Sequence, residues 1–247
     1  MSLSSAQIQQ FRQHGFLIRP QMVSPATVAA MRAETERQLA TGTGPVEYEA
    51  DMDYPGSPTD REAEGGRTVR RLLQAEQRGP LFADWFGNAE VVADMTSLLG
   101  GTIKQARAHH NCVMTKQPRY SSDTGWHQDI RYWNFHRPDL ISVWLALGPE
   151  YPENGGLKVI PGSHTLEFSA QQLDERKFFR SDLAENQEII ATAIDVKLEP
   201  GDVLYFHARL LHAASRNHTQ QTKYAVVASY RPLDNLPIAG TRSAQQD

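Results

Sequence analysis

The sequence predicts a mainly β fold, a barrel or sandwich, preceded by a helical N-terminal flank. Three observations carry this reading. Helical periodicity is confined to the first hundred residues. From residue 102 onward come short alternating or β-rich segments, among them IKQARAHHNCVM, LISVWLAL, LKVI, IDVKL, DVLYF and KYAVVASY. Turn clusters such as ENGG, PGS and EPGD separate them. A chain of 247 residues with 40% hydrophobic content can bury a substantial core. One domain over 1–247 is therefore expected, with 1–101 mostly helical flank and loop and 102–235 the barrel core.

The elements follow in order. Ser5 is placed to cap a first helix whose apolar Ile8 and Phe11 lie three apart, with Gly15 at its stop. Ser24 and Pro25 read as N-cap and first turn of a second helix, in which Val28, Met31, Thr35 and Leu39 keep helical spacing as far as Gly42 and Gly44. Residues 42–66 mix glycine, proline and acids without a sustained period and read as a long surface loop. Asn88 caps a third helix carrying Val91, Val92, Met95, Leu98 and Leu99, which Gly100 and Gly101 close. In LISVWLAL the residues Ile141, Val143, Leu145 and Leu147 share one face, while Ser142, Trp144 and Ala146 share the face that can line a cavity. Residues 165–190 lack a strand pattern and carry mixed charges, as a helical or irregular excursion over the barrel mouth would.

Composition narrows the function. Twenty-five basic against 29 acidic residues give a formal charge of -4 with no basic block, which argues against a nucleic-acid partner. Cys112 is the only cysteine, so neither an internal disulfide nor a thiolate zinc cluster can form, and a reducing cytoplasm is the expected location. The opening MSLSSAQIQQFRQHGF lacks the apolar core of a signal peptide, and no segment reaches membrane-spanning length.

Chemistry concentrates in Trp126-His127-Gln128-Asp129, where an imidazole and a carboxylate two residues apart share one face of an extended backbone. His212 ends the strand-like run LYFHARLLH, 85 residues later. Two histidines and one carboxylate make the facial triad of non-haem Fe(II) oxygenases, which leaves the opposite face of the metal open. An isolated H-x-D more often holds a histidine that merely satisfies a hydrogen bond. Here the β-rich context, the second strand-end histidine and a cation beyond it favour ligation. Of the other histidines, His207 is five residues from His212 and falls on the opposite face of a regular strand, as a packed or supporting donor. His109 and His110 are consecutive, so only one of them is expected to face the cavity. His164 follows a tight turn and is expected to secure loop backbone, and His14, His136 and His218 to face solvent.

Taken in order, IQQFRQHGFLI, TKQP, WHQDIRYW, NGGLKVIPGSH, GDVLYFHARLLHAASRN and KYAVVASYRP resemble the phytanoyl-CoA dioxygenase family along nearly the whole chain. The resemblance implies a double-stranded β-helix, that is, a jelly roll or cupin-like barrel flanked by N-terminal helices. It implies Fe(II) held by His127, Asp129 and His212, with 2-oxoglutarate and O2 as co-substrates and a small molecule as substrate. It also implies a basic residue eleven positions after the distal histidine to bind the far carboxylate of 2-oxoglutarate. That residue is Lys223, where the family usually has arginine, whose planar fork engages a carboxylate through two bonds.

Trp144 matches a family tryptophan near the co-substrate, and Cys112 a position where relatives set an apolar side chain against it. By its own chemistry Cys112 reads as a small buried hydrophobe. Ala214 stands where many relatives carry a co-substrate-binding serine. Arg70 and Arg71 are further candidate cavity cations whose register the sequence leaves open. The carboxylate Asp129 implies hydroxylation, since related halogenases replace it with a small residue. Two rival readings stand beside this one: a cupin-like metalloenzyme that does not use 2-oxoglutarate, and a non-catalytic binding barrel.

Overall fold

A computed structural model describes residues 2–245. Helix α1 (Ser5–His14) starts one residue earlier than expected, because Ser4 is its N-cap. The Ser4 hydroxyl accepts from the Gln7 amide and the Gln7 side chain accepts from the Ser4 amide, which satisfies two free N–H groups of the first turn. Strand β1 (Phe16–Arg19) follows, then α2 (Pro25–Ala40), capped by Ser24 with Pro25 in its first turn. Strands β2 (Val46–Tyr48) and β3 (Val69–Leu73) precede α3 (Pro80–Phe86) and α4 (Ala89–Leu99), the latter capped by Asn88. The expected segment 103–114 divides into β4 (Ile103–Gln105) and β5 (Asn111–Lys116), both paired with one long strand near the C-terminus. Next come β6 (Thr124–His127), β7 (Ile141–Ala146), β8 (Leu157–Val159), α5 (Ala184–Ile190), β9 (Ile194–Asp195), β10 (Val203–His207), β11 (His212–Ala214) and that long strand, β12 (Lys223–Pro232).

All the strand pairs are antiparallel. The larger sheet runs β1-β10-β7-β12-β5-β3-β2, with β4 also on β12, and the smaller runs β6-β11-β8-β9. Their inner faces share one apolar cluster, in which Trp144, Phe206 and Val227 of the larger sheet meet Leu157, Val159 and Ala214 of the smaller. The jelly roll is thus two facing sheets, and among the described residues no ladder closes them into a barrel. The first hundred residues are also less helical than expected, since β1, β2 and β3 extend both ends of the larger sheet. Each is only three to five residues long, too short for alternation to stand out from the surrounding loop. The expected domain span 1–247 includes Met1, Gln246 and Asp247, which lie outside the described residues.

The alternation read in LISVWLAL is realised on β7. Ile141, Val143 and Leu145 pack outward in a cluster with Phe11, Met31, Phe82 and Met95, so the helices cover the outer face of the larger sheet. Trp144 and Ala146 point into the space between the sheets. No helix among the described residues is long and apolar enough to cross a membrane.

Leu145 is fully buried on the helix-covered face, away from the inter-sheet cavity. Leu145→Ala should cost about 2–5 kcal/mol of stability through lost burial and the hole it leaves. Urea unfolding measures the loss, and metal binding by the folded fraction should be retained.

Candidate metal and co-substrate site

His127 ends β6 and His212 begins β11, and the two are direct partners in the antiparallel ladder. Between this pair and the next, Thr124 with Ala214, β6 carries one more residue than β11, a bulge at Gly125-Trp126. Bulges of this kind re-aim side chains at sheet edges. Gln128 keeps extended backbone, and Asp129 then opens a short 3-10 turn, so the carboxylate returns to the side of the histidines. One ligand atom from each of the three side chains lies within 4.8 Å of the other two, and all three residues are buried. Asp129 Oδ1 is 3.8 Å from His127 Nε2 and 3.6 Å from His212 Nε2.

The atoms on the far side of each group are already engaged. His127 Nδ1 donates to Gly125 O at 2.8 Å and His212 Nδ1 donates to Leu210 O at 3.0 Å, which leaves both Nε2 lone pairs facing the cluster. Ser142 Oγ donates to Asp129 Oδ2 at 3.0 Å and leaves Oδ1 free. Burial and the neighbouring His212 hold the His127 pKa well below the usual imidazole range. Burial opposes ionisation of Asp129, but His110, His212 and His127 outweigh it and bring the carboxyl down to about 2. A divalent cation requires neutral imidazole and ionised carboxylate ligands, the states that these shifts favour for His127 and Asp129. This donor set, with nitrogen and oxygen ligands and no thiolate, fits iron.

Lys223 and Trp144 both line the same cavity. The Lys223 ammonium sits 4.8 Å from the centre of the Trp144 ring and 3.0 Å from Glu150 Oε2. Trp144 Nε1 donates to Glu150 Oε1 at 2.8 Å, so one buried carboxylate anchors both residues. Glu150 lies in the loop after β7 and no pattern in the sequence marks it. Directly across the ladder from Lys223 is Lys116, also buried and also lining the cavity. Its ammonium donates to Ser122 O at 2.5 Å. Burial, reinforced by Arg70, pulls its pKa down to about 7. Lys116 was legible in principle, because Cys112, Met114 and Lys116 share one face of β5. Gly155, at φ +80, packs against it, and a Cβ there would come within 2.8 Å of Ser215 O and 3.3 Å of Lys116 Cδ.

Cys112 is the small buried hydrophobe its own chemistry suggests and, contrary to what the resemblance implied, does not line the cavity. It is 2% exposed in the inter-sheet core, and Met114, one strand period further on, lines the cavity instead. Burial raises its thiol pKa to about 11. His109 and His110 both line the cavity, because residues 106–110 form a turn in which strand parity does not apply. His110 Nδ1 is 3.7 Å from Asp129 Oδ2, and His109 stacks on Trp133 at 5.0 Å. His207 accepts from the Arg209 amide, and His164 bonds Arg12 O at 3.1 Å, holding helix α1 rather than the loop backbone expected. Arg70 pairs with Glu49 at 3.2 Å and Arg71 with Glu47 at 3.4 Å, both on the cavity wall.

Segments 42–66 and 165–190, which the structure shows to contain β2 and α5, meet through their irregular stretches over this cavity, which measures about 270 Å³. Phe178, from 165–190, lies edge-on to His127 at 5.8 Å and to Tyr54, from 42–66, at 5.6 Å. Arg176 donates to Met52 O and Asp53 O, both at 2.9 Å, and ties the segments together.

Comparison with known proteins agrees with this geometry. The chain is 24% identical over 252 residues to an ectoine dioxygenase of Nocardia farcinica, covering 95% of this chain and 80% of that one. It is 24% identical over 254 residues to the peroxisomal phytanoyl-CoA dioxygenase of Rattus norvegicus, covering 99% and 73%. Among solved structures, EctD from S. alaskensis with 2-oxoglutarate and 5-hydroxyectoine superposes with a TM-score of 0.78 at 19% identity, covering 96% of this chain and 78% of that one. The α-ketoglutarate-dependent carbocyclase SnoK from nogalamycin biosynthesis superposes at 0.73 and 21% identity, covering 99% and 88%. Residues 11–225, which include both strand-end histidines, Asp129 and both cavity lysines, match the phytanoyl-CoA dioxygenase (PhyH) family, and the chain belongs to that family.

Proposed function

We propose that this chain is an Fe(II)- and 2-oxoglutarate-dependent dioxygenase that hydroxylates an unactivated C–H bond of a small molecule. The family's chemistry is Fe(II)/2-oxoglutarate/O2-dependent oxidation. The observation that carries the proposal is the convergence of His127 Nε2, His212 Nε2 and Asp129 Oδ1, with the opposite atom of each group already hydrogen-bonded. When bound there, iron and its co-substrates supply the oxidation, in which 2-oxoglutarate gives succinate and CO2 and one oxygen atom enters the substrate.

The remaining roles fall to side chains on this wall. His127, Asp129 and His212 hold the metal. Lys116 and Lys223 take the distal carboxylate of 2-oxoglutarate, and Glu150 leaves that corner one net positive charge to match it. Trp144, Leu157 and Phe206 give it apolar walls that exclude water. The whole chain acts as a single domain on this reading, and its lone free cysteine suits a reducing cytoplasm.

One observation favours a second reading. Lys223 already has a carboxylate partner in Glu150, so its charge is met without a co-substrate, as in a metal-dependent enzyme that does not use 2-oxoglutarate. Anaerobic Fe(II) with 2-oxoglutarate separates the two, because the chelate gives a weak visible charge-transfer band. Lack of that band in protein shown to hold iron would remove the co-substrate. His127→Ala and Asp129→Ala should abolish both the band and succinate formation.

The lysine corner generates two further expectations. Lys223→Met strands the buried Glu150 carboxylate and should cost about 3–5 kcal/mol. Adding Glu150→Gln should recover most of that stability in urea unfolding while 2-oxoglutarate affinity stays weak. Lys116 loses its proton as pH rises through about 7, so its contribution to binding a dianion is full below that pH and fades above it. The Kd for 2-oxoglutarate should rise by up to about tenfold per pH unit above neutrality. A flat wild-type profile, or one that keeps its slope in Lys116→Met, would return Lys116 to a structural role.

A further inference from the structure

We propose that the substrate carries an oxyanionic group, a carboxylate or a phosphate, that docks on Arg131. The inference rests on the oxygenase reading above and adds the chemical class of the substrate.

It comes from the charges of the cavity wall. Arg70, Arg71 and Lys223 each have a carboxylate partner in Glu49, Glu47 and Glu150. Asp129 belongs to the metal cluster. Lys116 lies beside Lys223, where the distal carboxylate of 2-oxoglutarate is placed. Arg242, also on the wall, is exposed to solvent, and among the described residues Arg131 has no such partner. Its one hydrogen bond runs from Nη2 to the Tyr54 hydroxyl at 3.2 Å, while Nε and Nη1 are buried with no acceptor. Buried guanidinium donors without acceptors are costly and rare, and in a binding cavity a ligand is the natural source of the missing oxygens.

The position suits substrate. Arg131 lies two residues beyond Asp129, stacked 3.7 Å from the Phe178 ring, which itself contacts His127. Its partners Tyr54 and Phe178 come from the two irregular segments that roof the cavity. An acid group held here would place neighbouring carbons beside the metal cluster, and the planar guanidinium favours oxyanions over a neutral amide.

The test uses the iron-loaded protein with 2-oxoglutarate. It is screened against small aliphatic, aryl and N-acyl amino carboxylates, each paired with its primary amide, and phosphate monoesters paired with their alcohols. Acids of one arm should stimulate succinate release where their neutral partners do not, and the responding arm identifies the oxyanion. Arg131→Gln should raise the half-saturating concentration of the responding acid by at least about tenfold, with partial recovery in Arg131→Lys. The anaerobic titration of 2-oxoglutarate should not change. Stimulation by neutral partners as strong as by acids, by no acid at all, or with an unmoved half-saturation in Arg131→Gln overturns the proposal. The chelate band is read before any library compound is added, so its absence counts against the oxygenase reading alone. In that case a thermal shift of the metal-free protein by acids but not amides, lost in Arg131→Gln, still decides the oxyanion site.

Discussion

Antiparallel pairing sets His212 directly opposite His127, with ring centroids 4.1 Å apart, and the remainder of the site is arranged around that contact. Ladder hydrogen bonds fix the separation of opposed residues to about 5 Å between Cα atoms, which no flexible loop could hold. The bulge in β6 turns His127 toward its partner, and the 3-10 turn beyond it brings Asp129 back to the same point. Backbone carbonyls two residues upstream of each histidine then select the tautomer. Metal-binding capacity is therefore a property of the smaller sheet and the turn that follows it.

The larger sheet contributes the electrostatics. Its inner face carries cations that would be costly to bury alone, and each is answered by a carboxylate, a backbone oxygen or an aromatic face. Glu150 is the most consequential of these, since it tempers the one corner where two lysines face each other across a ladder. A lysine in place of the family's arginine gives up the two-bond grip on a carboxylate. On the proposed reading, a second ammonium across the strand and the Trp144 ring would offset that loss.

Above this floor the roof is made of the irregular stretches that follow β2 and precede α5, joined by Arg176 to the Met52-Asp53 backbone and by Phe178 to Tyr54. The Phe179 amide bonds to Trp126 O at 2.8 Å, so the roof also hangs from the strand that carries His127. On the proposed reading the sheets carry the chemistry and the loops the selection, a division that rigid scaffolds and variable connections favour.

What the sequence determined by itself was whatever depends on short-range pattern. Caps and glycine stops placed α2 and α4, two-residue alternation oriented β7, and the H-x-D spacing with a strand-end histidine located the triad. Position along a family-like progression singled out Lys223 and Trp144 as candidates. The sequence could not decide what depends on two distant segments meeting. Glu150 earns its role only because a loop returns beneath Lys223, and Arg131 stands out only because Tyr54 and Phe178 surround it without supplying an anion. Cys112 and Met114 occupy equivalent faces of β5, and only the distance to the facing sheet decides that Met114 reaches the cavity while Cys112 is packed beneath it. Local periodicity specifies a side chain's direction, whereas its neighbours are set by how the two sheets and their covering loops pack.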